Sequence, residues 1–276
     1  MRLPRHPALS RLSRRVGWPD ARLRMIEGYY TLKHYGTAII DPSASIGALR
    51  AIPRFLRERK EYQTMSGAPR LRAYDDNPQL FDRTPGSPFD PHYLYQDAWA
   101  AREIHERAPG RHVDVGSRIT FVAGLAAFVP VTFVDLRPLD ADVPNLDSVA
   151  GDVLDLPFDD QSVESLSCLH VAEHIGLGRY GDPLNPHGTR DAARELARVL
   201  APGGWLYFGL PIGQPRTNFN AHRVHDPLDV VAMFPELELA GFAAVDDAGR
   251  YHEPADPADY REASWSCGLY RFTRRG

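Results

Sequence analysis

An α/β fold built on a doubly wound, mostly parallel Rossmann-like sheet is what this chain of 276 residues predicts. Its central stretch Arg111–Asp135, RHVDVGSRITFVAGLAAFVPVTFVD, reads as strand, turn, helix and strand. His112–Val115 is a short β-prone run ending at Gly116, Ile119–Val129 has a helical apolar stripe, and Val131–Val134 is β-branched and closes on Asp135. Strand and helix signals then alternate through most of Arg111–Arg274, and the final part is strand-rich.

Length and composition bound the rest. With 43% hydrophobic and 25% charged residues the chain has the makeup of a globular protein, and its length suits one large domain with an appendage. We expect residues 1–90 to form a basic arm with a helical and irregular extension, and residues 91–276 to form the Rossmann-like domain. A net charge of −4 argues against a general nucleic-acid binder, and no apolar run approaches the length of a membrane span. Local charge differs from the average. Arg2, Arg5, Arg11, Arg14, Arg15, Arg22 and Arg24 crowd the start, with Asp20 the only acid before Glu27. The apolar core of a signal peptide is missing there, so the arm reads as a solvated tail; docking to an acidic surface or to lipid headgroups is the alternative. Cys168 and Cys267 show no CxxC pairing and no disulfide framework, which suits a reducing cytoplasm, and each reads as a small buried hydrophobe.

The elements follow in order. Helix-like pieces occupy Met25–Tyr62, notably Ile46–Lys60, with breaks expected at Gly36, Pro42 and Pro53. Pro69, Pro78, Pro85 and Pro88 then make a long irregular covering segment. Asp90-Pro91 looks like an N-cap with proline in the first turn, opening a helix towards Arg107. After Asp135, Ser148–Asp152 and Val163–Leu169 read as strands, the second delivering His170 to the carboxyl edge. Thr189–Leu200 is an amphipathic helix, which Pro202-Gly203-Gly204 should stop ahead of a strand at Trp205–Leu210. Leu228–Leu239 is a helix candidate that Pro235 must interrupt, and Phe242–Val245 and Gly268–Thr273 supply late strands.

Ligands of open α/β sheets bind in the crevice at the carboxyl ends of the strands. Gly116 would face such a ligand. Asp135 follows it at the interval at which nucleotide-binding folds place a carboxylate on ribose hydroxyls. Gly116 stands alone in its turn, since Gly124 falls inside the expected helix, so a pyrophosphate cradle is not expected. That disfavours an oxidoreductase using NAD and favours a ligand with ribose and adenine but no phosphate, such as S-adenosylmethionine. Asp152 at its strand end suits either an adenine amine, with Val153 packing on the ring, or a turn-forming role.

The phrases GDVLDLPFDDQSV and RVLAPGGWL, with VDVGS and VTFVD before them, resemble the class I S-adenosylmethionine-dependent methyltransferase superfamily over about Arg111 to Asp247. More narrowly, FDPHYLYQDAWAAR, EHIGLGRYGDP and NFNAHRV look like a bacterial group of methyltransferase-like proteins, a domain of unknown function. The resemblance implies a seven-stranded sheet, Asp114 and Gly116 at the methionine end of the cofactor, Asp135 on the ribose and Asp152 near the adenine. Where that superfamily usually carries G-x-G-x-G, this chain has Ser117, Arg118 and Ile119 after Gly116.

His170, Glu173 and His174 follow the fourth strand, within reach of such a site, and are candidates for a catalytic base; local packing is the alternative reading. They also spell H-x-x-E-H, a zinc-binding pattern when it lies on one helix. Here His170 closes a strand and no third ligand is identifiable, although His187, His222 and His225 are available, so no metal is assigned. Arg179 and Tyr180 in the covering loop, and Arg216, Asn220, His222 and Arg223 after the fifth strand, are candidates to grip a small-molecule or glycan-like acceptor. For Asn220 and His222 the alternative is satisfying the backbone of their own loop, and Arg179 and Tyr180 carry the same ambiguity. A protein that keeps the fold but transfers nothing is the other functional reading.

Overall fold

The computed structural model describes residues 42–71 and 76–275. The arginine-rich arm and the expected breaks before Pro42 lie outside them. Two compact units divide between Pro88 and Phe89. In the first, helix α1 (Pro42–Thr64) runs through Pro53 where a break was expected, and an irregular, proline-studded segment follows it. No described helix is long and apolar enough to cross a membrane.

The second unit contains α2 (Pro91–Arg107), β1 (His112–Val115), α3 (Ile119–Leu125), β2 (Val131–Asp135), β3 (Leu146–Ala150), β4 (Val163–Leu169), α4 (Gly188–Val199) and β5 (Leu200–Ile212). There follow a small hairpin, β6 (Arg216–Asn218) with β7 (His222–Val224), then α5 (Pro227–Ala232), β8 (Glu238–Val245), β9 (Tyr251–His252) and β10 (Ser266–Thr273). The main sheet has the order β3-β2-β1-β4-β5-β10-β8-β9. Its first five strands are parallel, and β10 runs antiparallel to both β5 and β8. This is the doubly wound, mostly parallel Rossmann-like sheet expected, with eight strands in place of seven. The extra strand, β9, exists because Asp246 folds the chain back: its carboxylate accepts from the amides of Ala248 and Arg250, and Gly249 takes a left-handed φ of 74°.

Several boundaries moved for local reasons. α3 stops at Leu125, short of Val129, as its last bonds tighten to a three-residue span, Phe128 N to Leu125 O at 2.9 Å, ahead of Pro130. β5 starts at Leu200 directly from α4, because Gly203, at φ 74°, absorbs an irregularity in pairing with β4 where a helix stop was expected. α5 ends at Ala232, since a proline at 235 would clash with the carbonyl four residues back; Glu238 already begins β8. The capped start of α2 is as expected, Asp90 accepting from the amides of His92 and Tyr93.

Side chains alternate across the sheet with period two. Leu206, Phe208 and Leu210 of β5 and Tyr270 and Phe272 of β10 pack with Ala193, Leu196 and Ala197 of α4 on one face. Tyr207 of β5 and Cys267 and Leu269 of β10 pack with Trp99 and Ile104 of α2 and Phe121 and Leu125 of α3 on the other. Both faces being covered, the carboxyl edge is the open side of the parallel strands.

Candidate functional site

Strand order reverses between β1 and β4, and the crevice of an open α/β sheet forms at such a reversal. A cleft of about 120 Å³ lies there, lined among others by Gly116, Asp135, Asp152, Val153, His170 and His174.

The turn after β1 is built from beneath. Asp114 is fully buried and does not line the cleft; its Oδ1 accepts from the Ser117 amide at 3.0 Å, and its Oδ2 from the Ser167 hydroxyl. His112, behind it, bonds Ser165 Oγ and Ser167 Oγ at 2.8 Å each. Burial pushes the Asp114 carboxyl up to about 6, against its hydrogen bonds to Ser167 and Ser117, and holds the His112 imidazole down to about 3. The polar column therefore shapes the turn. Gly116 has a φ of 70°, and a Cβ there would lie 3.1 Å from Val171 Cγ1 and 3.8 Å from Asp135 Oδ2. Arg118 is exposed and does not line the cleft, its guanidinium 4.8 Å from the Tyr93 ring and 3.8 Å from Asp97. The Arg118 side chain thus does not fill the cleft that Gly116 lines.

Asp135 ends β2 half-buried, its Oδ1 accepting from the Arg137 amide at 2.8 Å, while its Oδ2 has no hydrogen-bond partner among the described residues. Asp152 makes the turn expected of it, Oδ1 accepting from Leu154 N at 2.9 Å, and yet lines the cleft together with the buried Val153. Both alternatives for Asp152 are compatible with that geometry.

The opposite wall begins at His170, whose backbone takes a left-handed φ of 55°. Its Nδ1 bonds Gln96 Oε1 from α2. Burial, with His92, His174 and His222 nearby, brings its ring down to about 3. Ala172–His174 forms one 3-10 turn. His174 Nδ1 donates to Ala221 O at 2.5 Å and Nε2 lies 3.6 Å from Glu173 Oε1; burial holds this imidazole down to about 4, partly opposed by the Ala221 carbonyl. Glu173 is fully buried, does not line the cleft, and neither carboxyl oxygen has a hydrogen-bond partner among the described residues; burial pushes it up to about 8. Burial thus favours its neutral form.

The remaining candidates divide. Tyr180 lines the cleft mouth between the guanidinium groups of Arg137 and Arg179, 5.2 and 5.1 Å from its ring. Arg179 is exposed and bonds Ala221 O. Arg223, in contrast, is buried and spends its fork on two carbonyls, Ile175 O at 2.6 Å and Asn185 O at 2.8 Å. Asn220 reaches Leu177 O at 3.4 Å, and His222 bonds Asn218 at 2.7 Å while packing 4.4 Å from the Trp265 ring. Arg216 is exposed, 6.0 Å from that same ring. Sequence reasoning missed three participants in this region: Gln96, His92 and Trp265. Gln96 and His92 share the helix face that reaches His170, a proximity that only the sheet topology creates.

A family model described as "Caenorhabditis protein of unknown function, DUF268" matches residues 159–262. The match takes in His170, Glu173, His174 and the loops beyond them and leaves Gly116, Asp135 and Asp152 outside. The domain of unknown function is met; the bacterial grouping is not shown. No curated protein matches the chain. Among solved structures, the chain is similar to the N-methyltransferase NodS from Bradyrhizobium japonicum in complex with S-adenosyl-L-homocysteine (16% identity, 80% of this chain and 98% of that one, TM-score 0.47). It is similar also to the [4+2]-cyclase SpnF (14%, 65% and 82%, TM-score 0.49) and to a TehB-like SAM-dependent methyltransferase from Corynebacterium glutamicum (17%, 67% and 98%, TM-score 0.43). At these identities the likeness is one of fold.

Proposed function

We propose that the chain is an S-adenosylmethionine-dependent methyltransferase acting on a small-molecule or glycan-like acceptor in a reducing, cytoplasmic compartment. One observation carries the reading: a carboxylate oxygen of Asp135 without a partner among the described residues lies beside Gly116 in a cleft at the strand-order reversal, and Arg118 does not line that cleft. A nucleoside without phosphates suits these residues. Asp135 would take the ribose hydroxyls, Asp152 the adenine amine, Val153 the face of the base, and Gly116 would allow close approach, with Asp114 acting beneath the turn.

When bound, the cofactor supplies a methyl group activated on a sulfonium. The chain's task is then to orient an acceptor in line and to manage its proton. His174 is the best placed of the three base candidates, because it lines the cleft and its Nδ1 is committed to Ala221 O, leaving Nε2 to accept. Glu173, 3.6 Å from that atom, is a positioning residue. A ring held down to about 4 binds a proton weakly, so His174 orients an acceptor hydroxyl or amine more than it deprotonates one. Tyr180 and Arg179 at the mouth, and Arg216, Asn220 and His222 beside Trp265, would contact the acceptor; Arg223 would shape the loop that carries Tyr180.

Calorimetry with S-adenosylmethionine and S-adenosylhomocysteine tests the reading. Micromolar binding of both, abolished by Asp135→Ala, is expected; no heat and no thermal shift with either ligand would overturn it. A second reading, a protein that holds the nucleoside without transferring a methyl, is favoured by the Ser117 amide being spent on Asp114 instead of facing the cleft. Identifying by mass spectrometry a ligand retained through purification, and assaying it as acceptor, separates the two.

A further inference from the structure

We propose that His92, His170 and Cys267 form a binding site for a zinc-type divalent cation. The three residues are far apart in sequence and come from the first turn of α2, the end of β4 and the start of β10. One ligand atom from each lies within 4.8 Å of the others. They meet at the carboxyl ends of β4 and β5, Cys267 pairing with Pro211, and His170 also belongs to the cleft wall.

The hydrogen bonding around His170 is the second, independent observation. Its Nδ1 faces the side-chain carbonyl oxygen of Gln96, an acceptor only, so Nδ1 carries the proton and Nε2 carries the lone pair. That Nε2 is buried and has no hydrogen-bond partner in the described residues. A ligating imidazole has this arrangement: the far nitrogen donates to a carbonyl, fixing the tautomer and aiming the near nitrogen at the metal. His92 is itself buried, stacked on Trp265 at 5.8 Å, with its ring 5.9 Å from that of His170. Cys267 is fully buried, and its thiol makes one long contact, 3.9 Å to Gly268 O.

Metal–nitrogen bonds of about 2.0 Å and a metal–sulfur bond of about 2.3 Å in a tetrahedron separate ligand atoms by roughly 3.4 Å, so the three side chains need to draw together by an ångström or so. Two imidazoles and a thiolate favour zinc over magnesium or calcium, which take oxygen ligands. On binding, the S–H bond of Cys267 breaks, a sulfur–metal bond forms and one proton leaves to the buffer, while both imidazoles remain neutral. Three protein ligands leave a fourth position for water or substrate, as in catalytic zinc sites. The competing arrangement is a Cys267 S–H donating to His170 Nε2 in a dry core, which binds nothing.

Cobalt titration of the full metal-free chain distinguishes the two, since a cobalt–thiolate bond has a charge-transfer absorption. One equivalent of Co²⁺ is expected to bind, with zinc displacing it and affinity rising with pH. Cys267→Ser removes the thiolate band and Cys168→Ser, the other cysteine, leaves it. Gln96→Leu weakens cobalt binding by about 10- to 100-fold through loss of the orienting bond. Should Cys267→Ser fail to fold, His92→Gln serves instead and is expected to weaken binding by at least about tenfold. A folded chain that takes up neither Co²⁺ nor Zn²⁺, a band that survives Cys267→Ser, or undiminished binding in His92→Gln would overturn the assignment. Because the readout is metal uptake, it is independent of nucleoside binding.

Discussion

Gly116 shows how one residue's backbone sets what the cleft can accept. At a φ of 70° an alanine costs about 1–2 kcal/mol in backbone strain, and its methyl would press on Val171 at 3.1 Å. Gly116→Ala should therefore lower stability by that order and weaken nucleoside binding. Gly124→Ala, inside α3 with open space around the position, should raise stability by about 0.5–1 kcal/mol. Chemical denaturation of the two variants checks the pair. At this scale the placement of Gly116 and Asp135 at the strand-end cleft was legible, since a strand-end glycine and acid are set by chain spacing alone. The neighbours of His170 were not, because α2 and β10 reach it through the topology. Cys267 read as a small buried hydrophobe and is one, packed in the core of its sheet face.

The loop over the cleft is held by side-chain bonds to its backbone. Arg223 in β7 ties Ile175 and Asn185, at the two ends of that loop, with bonds of 2.6 and 2.8 Å, and Asp182 accepts from the amides of Gly176, Gly178 and Tyr180. Arg223→Ala should cost about 1–3 kcal/mol by leaving buried carbonyls unpaired, and should speed hydrogen exchange across residues 175–185 ahead of the sheet. Equal protection in both proteins would count against the anchoring role. Helix and strand identities were readable from periodicity, whereas the ends of α3, α5 and β5 were not. Those ends depend on how a proline carbonyl clash, a tightened last turn or a left-handed glycine resolves locally, and periodicity carries no such information.

For the molecule as a whole, burial sets two opposing pH slopes. His112, His170, His174 and His225 have folded values brought down to about 3 or 4, so the unfolded chain binds protons first and stability is lost as pH falls below 6.5. Glu173 acts in reverse. Its folded value is raised from 4.5 to about 8, so its contribution is complete below 4.5 and is lost as pH rises through that window. Glu173→Gln should be more stable than the parent at pH 8 by a few kcal/mol, roughly, and unchanged near pH 4. Urea unfolding at both pH values reads this directly. The doubly wound architecture was legible from the order of signals; β9 was not, because a two-residue strand has no periodicity and exists through the Asp246 turn.

His170 occupies a backbone conformation that glycine or asparagine would enter with less effort. Selection for heat resistance alone would push this position towards one of those residues, whereas selection for what the imidazole does would keep it as it stands. Persistence of histidine in thermally evolved variants would thus be an indicator of purpose at the strand end, obtained without knowing the substrate.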